Sequence, residues 1–243
     1  MPTKPVSAQL GLSRYRKIAE TLESEIRKAY SVGDRLPGEH ELAGRFEVNR
    51  HTVRHAIDTL IDAGIVARRH GAGTYVAGKP LRYPVGAGTR FSESLAKSGH
   101  STGSILLRKE VREARGGVSA RLGLSDGDRV YAFETLRSVD GGPFCVASHF
   151  LPASIGEAVF ANYEHGSLHG LIYELTGRRL KRVQSIITAT PVLPEDAALL
   201  AIPSNQWILR VKSVNVDAET QCPLEYCVTR FRADRAELSV EFT

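Results

Sequence analysis

The 243-residue sequence is poor in cysteine, with only Cys145, Cys222 and Cys227 and no CxxC pair. An odd count at such spacings excludes a disulfide framework and a thiolate zinc site, so the three are expected to be small thiols packed in the interior. No apolar run is long enough to cross a bilayer, and the opening MPTKPVSAQLGLSRYR lacks the apolar stretch of a secretion signal. A cytoplasmic protein is therefore expected. Internal repeats and low-complexity tracts are missing too. There is no HExxH helix and no Walker loop, no nucleophile elbow is expected, and neither a cofactor nor a metal is foreseen. The composition, 42% hydrophobic and 24% charged, excludes a disordered chain. A chain of this length can bury one large core or two modest ones. The formal charge of +5 is compatible with an anionic partner but does not require one. The placement of the charge has to decide.

That placement is informative at EVNRHTVRHAIDTLIDAG, residues 47–64. Val53, Ile57, Leu60 and Ile61 recur at helical spacing, Asn49 can cap the start, and Gly64 can end the helix. Arg50 and Arg54, with His51 and His55 beside them, crowd the end of the helix where the macrodipole disfavours cations. Duplex DNA gives such residues a purpose, since phosphates and guanine edges accept from a forked donor. Upstream, Ile18, Leu22, Ile26 and Ala29 mark a helix over about 15–30, and a short helix is expected over about 38–46. Two short helices joined by a tight turn make a helix-turn-helix. IVARRHGAGTYV follows, and it reads as a small hairpin with a basic tip, or wing. The candidate DNA contacts are Asn49, Arg50, His51, Thr52 and Arg54 on the helix, with Arg68, Arg69, His70 and Gly71 on the wing.

These residues resemble a known family. GDRLPGEHELAGRFEVNRHTVRHAIDTLIDAGIVARRHGAGTYV is similar to the winged helix of GntR-type bacterial transcription regulators. The resemblance covers about residues 14–76 and implies contacts from Arg50, His51, Thr52, Arg54, His70 and Gly71. One position departs from it: His40 stands where the family often has Arg, which leaves a phosphate contact there open or pH-sensitive.

The Gly- and Pro-rich AGKPLRYPVGAGTR marks a change of texture. The expected organisation is a winged helix-turn-helix over 10–77, a linker over 78–90 and an effector domain over 91–243. In the last part, strands are expected at 105–111, 129–138, 144–151, 180–188, 207–216, 224–232 and 238–242, with a tight turn at Asp140-Gly141-Gly142. Helices are expected at 92–98, 118–122, 154–161, 167–176 and 194–201. Short connections favour a mainly antiparallel α+β domain. TRFSESLAKSG, GSLHGLIYELTG and PLEYCVTRFRADR resemble the HutC subgroup, whose effector domain, called UTRA, is chorismate-lyase-like in fold. Within that subgroup the chain is most similar to PhnF-type repressors of phosphonate uptake and breakdown.

The resemblance implies a homodimer on pseudo-palindromic operator DNA, released by a small anionic metabolite. Residue types chosen to suit an anion are Thr89, Arg90 and Ser92 at one helix start, Ser167 and His169 at another, and Arg137 and Glu225 on strands. Ala147 replaces a Glu that many relatives carry, which argues against an amino-sugar phosphate and for a smaller or differently shaped effector. His149 is nearby but reads as a packing residue. Other readings are a regulator of a sugar-phosphate or histidine-type acid pathway, a lyase-like enzyme, and an architectural DNA-binding protein with no switch.

Overall fold

The computed structural model describes residues 6–69, 73–77 and 80–241, side chains of 6–13 and 69 excepted. Contacts divide the chain into two units that meet between Pro80 and Leu81.

In the first unit, helix α1 (Val6–Ala29) is followed by α2 (Glu39–Arg45), α3 (Arg50–Asp62) and the antiparallel hairpin β1 (Val66–Arg69) and β2 (Gly73–Val76). One core holds it together, with Ile18, Leu22 and Ile26 of α1 packed against Leu42 of α2 and Val53, Ile57 and Leu60 of α3. Burying each of these aliphatic side chains contributes about 1.5–3 kcal/mol. Both ends of α3 are as its sequence implies. Asn49 Oδ1 accepts from the Thr52 amide at 2.8 Å, and Gly64 leaves the helix at φ +68°. Arg35 bridges Tyr75, and the Leu36 amide donates to the Thr74 carbonyl at 2.8 Å, so an isolated bridge ties the segment before α2 to the hairpin.

The second unit contains a six-stranded antiparallel sheet ordered β4-β5-β6-β9-β8-β7. Its strands are β4 (Thr102–Glu113), β5 (Arg129–Val139), β6 (Gly142–Pro152), β7 (Leu180–Pro191), β8 (Trp207–Asp217) and β9 (Pro223–Arg232). Asp140 and Gly141, both at positive φ, turn β5 into β6. One sheet face is covered by α4 (Phe91–Ala96), α6 (Ala153–Asn162) and α7 (Leu168–Thr176). The other carries α5 (Gly117–Leu122) and α8 (Pro194–Leu199).

The linker expectation needs correction. Leu81–Pro84 forms a strand, β3, which pairs in parallel with β10 (Ala236–Ser239), and Tyr83 and Val85 are buried. The Pro and Gly there mask a short edge strand whose apolar side chains join the core of the second unit. Two of the cysteines, Cys145 and Cys227, are buried as expected, but Cys222 is exposed.

Candidate effector cavity and nucleic-acid interface

On the first unit, Arg50, His51 and Arg54 are exposed near the start of α3, whose opposite side is core. The Asn49 side chain accepts from both the backbone and the hydroxyl of Thr52, so its first task is the cap. Arg54 is not the lone cation that the sequence implies. Its Nη2 donates to Glu39 Oε2 at 2.9 Å, and Arg68 reaches Glu39 at 3.4 Å and Asp58 at 3.2 Å. The hydrogen bond from Arg54 holds the Glu39 carboxyl below its ordinary pKa against a small opposing effect of burial, with the charges of Arg54, Arg68 and Arg50 adding to it. Glu39 on α2 thus ties the α3 arginine to the first wing strand and offsets part of the dipole cost. His40 is exposed. Arg69 is described by its backbone alone, and His70 and Gly71 lie outside the described residues.

On the second unit, one cavity of about 120 Å³ opens between the sheet and α4 and α7. Strand register builds its floor. Arg182, Asn215 and Glu225 stand opposite one another on β7, β8 and β9, and His149 on β6 pairs with Cys227, two residues from Glu225. Ser104 faces Arg137 across β4 and β5. All seven residues singled out in this part of the sequence, Thr89, Arg90, Ser92, Arg137, Ser167, His169 and Glu225, line the cavity. The sequence reading missed His149, Arg182, Ser104, Ser213 and Asn215, which line it too.

Their hydrogen bonds are unevenly shared. Glu225 has no exposed surface. Its Oε1 accepts from His149 Nδ1 at 2.6 Å, and its Oε2 accepts from His169 Nε2 at 2.8 Å and from Asn215 Nδ2. Burial opposes its charge, but the two histidines outweigh burial and hold the carboxyl well below the usual range. Both oxygens are engaged, so Glu225 positions two histidines rather than offering itself to a ligand. Arg137 makes no ion pair among the described residues. It stacks on Phe91, 5.0 Å from the ring centre, and its Nη2 lies 3.2 Å from His149 Nε2. A neutral His149 ring accepts from Arg137 there. Burial works against the imidazolium, yet Cys227 and Glu225 prevail and raise its pKa to about 9. In the charged ring, Nε2–H and the Arg137 N–H oppose each other at that contact. Arg182 has a buried Nε with no hydrogen-bond partner among the described residues. Arg90, nearer solvent, pairs with Glu93 at 3.0 Å.

Two further chemistries do not fit this geometry. His149, His169 and Glu225 place three metal-ligand atoms within 4.8 Å of one another. They are already joined by hydrogen bonds, and a divalent cation there would face Arg137. Secondly, Gly99-His100-Ser101-Thr102-Gly103 does fit the G-x-S-x-G pattern, contrary to the expectation that no nucleophile elbow occurs. Its context is wrong, because the segment leads into strand β4 rather than from strand to helix. Ser101 Oγ and His100 Nδ1 both bind Asp140, at 3.2 and 2.8 Å, so the histidine is held by the acid and the serine hydroxyl is turned to the same carboxylate.

A winged helix joined in one chain to an α+β unit with a cation-lined cavity defines a DNA-binding regulator with a ligand-sized pocket. The chain belongs to the GntR family: the model of bacterial regulatory proteins of that family matches residues 14–76, and the UTRA domain model matches residues 97–237. The probable transcriptional regulator PhnF of Escherichia coli (strain K12) is 39% identical over 94% of this chain and 95% of its own. The HTH-type transcriptional repressor PhnF of Mycolicibacterium smegmatis is 30% identical over 84% of this chain and 82% of its own. Among solved structures, that of PhnF from Mycobacterium smegmatis superposes with a TM-score of 0.65 at 26% identity, covering 93% of this chain and 99% of that one. The protein is a transcriptional regulator and not an enzyme.

Proposed function

We propose that this regulator is a homodimeric repressor of genes for phosphonate uptake or breakdown, released from a pseudo-palindromic operator by a small anionic effector. The observation that carries the effector reading is the cavity's cationic floor. Among the described residues Arg137 has no carboxylate partner and Arg182 Nε has no hydrogen-bond partner, and both side chains line the cavity. Phosphonate and phosphate oxygens accept in that geometry, and a guanidinium can grip two of them at once. α4 has only six residues, so its dipole adds little, and the guanidinium groups supply the attraction. The pathway assignment rests on similarity to the PhnF regulators. Two features support dimerisation: the exposed apolar Val183, Ile186 and Ile187 of the edge strand β7, and the general use of paired half-sites by helix-turn-helix proteins. No helix among the described residues is long and apolar enough to cross a membrane. A repressor acting on chromosomal DNA works in the cytoplasm.

In this reading Arg50, His51, Thr52 and Arg54 enter the major groove, with Asn49 positioning them. Arg68 and Arg69, with His70 and Gly71, grip the flanking backbone. DNA phosphates compete with Glu39 for Arg54 and Arg68. The test is binding to the duplex upstream of the protein's own operon against a scrambled duplex. Arg50→Ala and Arg54→Ala are each expected to cost at least tenfold in specific affinity, with unchanged circular dichroism. Wild-type affinity in both variants would remove the recognition-helix assignment.

A further inference from the structure

Resting on the reading of the cavity as an anion site, we infer that the effector is a short, wholly anionic compound. It is a phosphonate or phosphate dianion whose remaining substituent is uncharged or negative, and compounds carrying an ammonium group are excluded from the cavity.

The inference starts from the acceptors. Among the described residues, only two carboxylates line the cavity. Glu93 is 60% exposed at the rim and bound to Arg90. Glu225 is sealed, with one oxygen occupied by His149 and the other by His169 and Asn215. An ammonium group brought inside would lose its water and find no carboxylate to replace it, which is unfavourable. The hydroxyls are set the same way. Thr89 Oγ1 accepts from the Gly86 amide at 2.9 Å, and Ser167 Oγ accepts from the Gly170 amide at 3.1 Å. Each hydroxyl has one lone pair in use and its O–H hydrogen left to donate, which suits an anion.

Charge and size agree. Arg90 is answered by Glu93, which leaves Arg137, Arg182 and His149 to face Glu225. Arg137 and Arg182 outnumber the one sealed carboxylate, so the floor is net positive, the complement of an anion. An apolar cavity of about 150 Å³ takes one benzene. The 120 Å³ here therefore holds a phosphonate or phosphate group with a short substituent, and a hexose phosphate would have its ring outside.

The experiment is calorimetric titration of the full chain with propylphosphonate and with 2-aminoethylphosphonate. These differ by a terminal methyl against an ammonium, and inorganic phosphate is the third titrant. Propylphosphonate is expected to bind at least tenfold more tightly than its amino counterpart. His169→Ala frees one lone pair of Glu225 and opens it to the cavity, so in that variant the preference should narrow. Equal or tighter binding of 2-aminoethylphosphonate by the wild type overturns this inference and leaves the anion site standing. A preference unchanged in His169→Ala overturns its stated cause, the saturation of Glu225. Binding of none of the three overturns the inference together with the anionic-effector reading.

Discussion

Glu225 has no exposed surface and accepts from side chains on three elements, His149 of β6, His169 of α7 and Asn215 of β8. Glutamine in its place keeps one acceptor oxygen for the two histidines and the amide and turns the other into a donor. Glu225→Gln is expected to destabilise the second unit by about 3–5 kcal/mol, the range for breaking a buried pair, as read from urea denaturation. The pH profile follows from the same groups. The Glu225 pKa is depressed, so its contribution is present above the usual carboxylate range and is lost as pH falls. His149 is raised to about 9, so its contribution is complete below its ordinary value of 6.5 and is lost as pH rises through about 9. Melting temperature against pH should fall on both sides of a neutral plateau, and in Glu225→Gln the acid limb should flatten while Cys227 still supports part of the alkaline limb; an acid limb identical to wild type would contradict this account of the pair. At this scale the sequence was partly legible. Helix starts and a strand Arg and Glu announced themselves by residue type, and all seven line the cavity. His149, Arg182 and Asn215 did not, because each is a polar residue in an alternating strand. Only the register of β6 to β9 and of β7 to β9 sets them around Glu225.

Among the elements, α3 is the most completely written in its own residues: an Asn cap, four apolar positions and a closing glycine. Asn49→Ala removes the acceptor for the Thr52 amide and should cost the first unit about 1 kcal/mol, measured by thermal melting. Gly156 in α6 is a site of close approach that the sequence does not reveal. A Cβ there would sit 2.5 Å from Tyr131 Cδ2. Gly156→Ala should therefore cost about 1–3 kcal/mol through overpacking, and a neutral result would mean that α6 shifts freely on the sheet. The strands and helices of the second unit were legible from alternation and turn residues to within a few positions. β3 was not. Its four residues lie among Gly and Pro, and it becomes a strand only by pairing with β10, more than 150 residues away in the chain. Long-range pairing of that kind leaves no local periodicity to read.

At the scale of the whole molecule, the proposed switch is a population shift of the dimer. An effector that prefers one arrangement of the dimer by about 1.4 kcal/mol weakens operator binding tenfold, whatever its absolute affinity. Arg182→Gln removes the unpartnered guanidinium while sparing the core, so it should keep operator binding and blunt the response to ligand. The most direct measurement is fluorescence anisotropy of the full chain on its operator duplex, titrated with propylphosphonate, for the wild type and for Arg182→Gln. The account predicts tight, salt-sensitive binding that the ligand weakens at least tenfold in the wild type and much less in the variant. Operator binding that is unmoved by any phosphonate or by phosphate, or a release as large in Arg182→Gln as in the wild type, would contradict it.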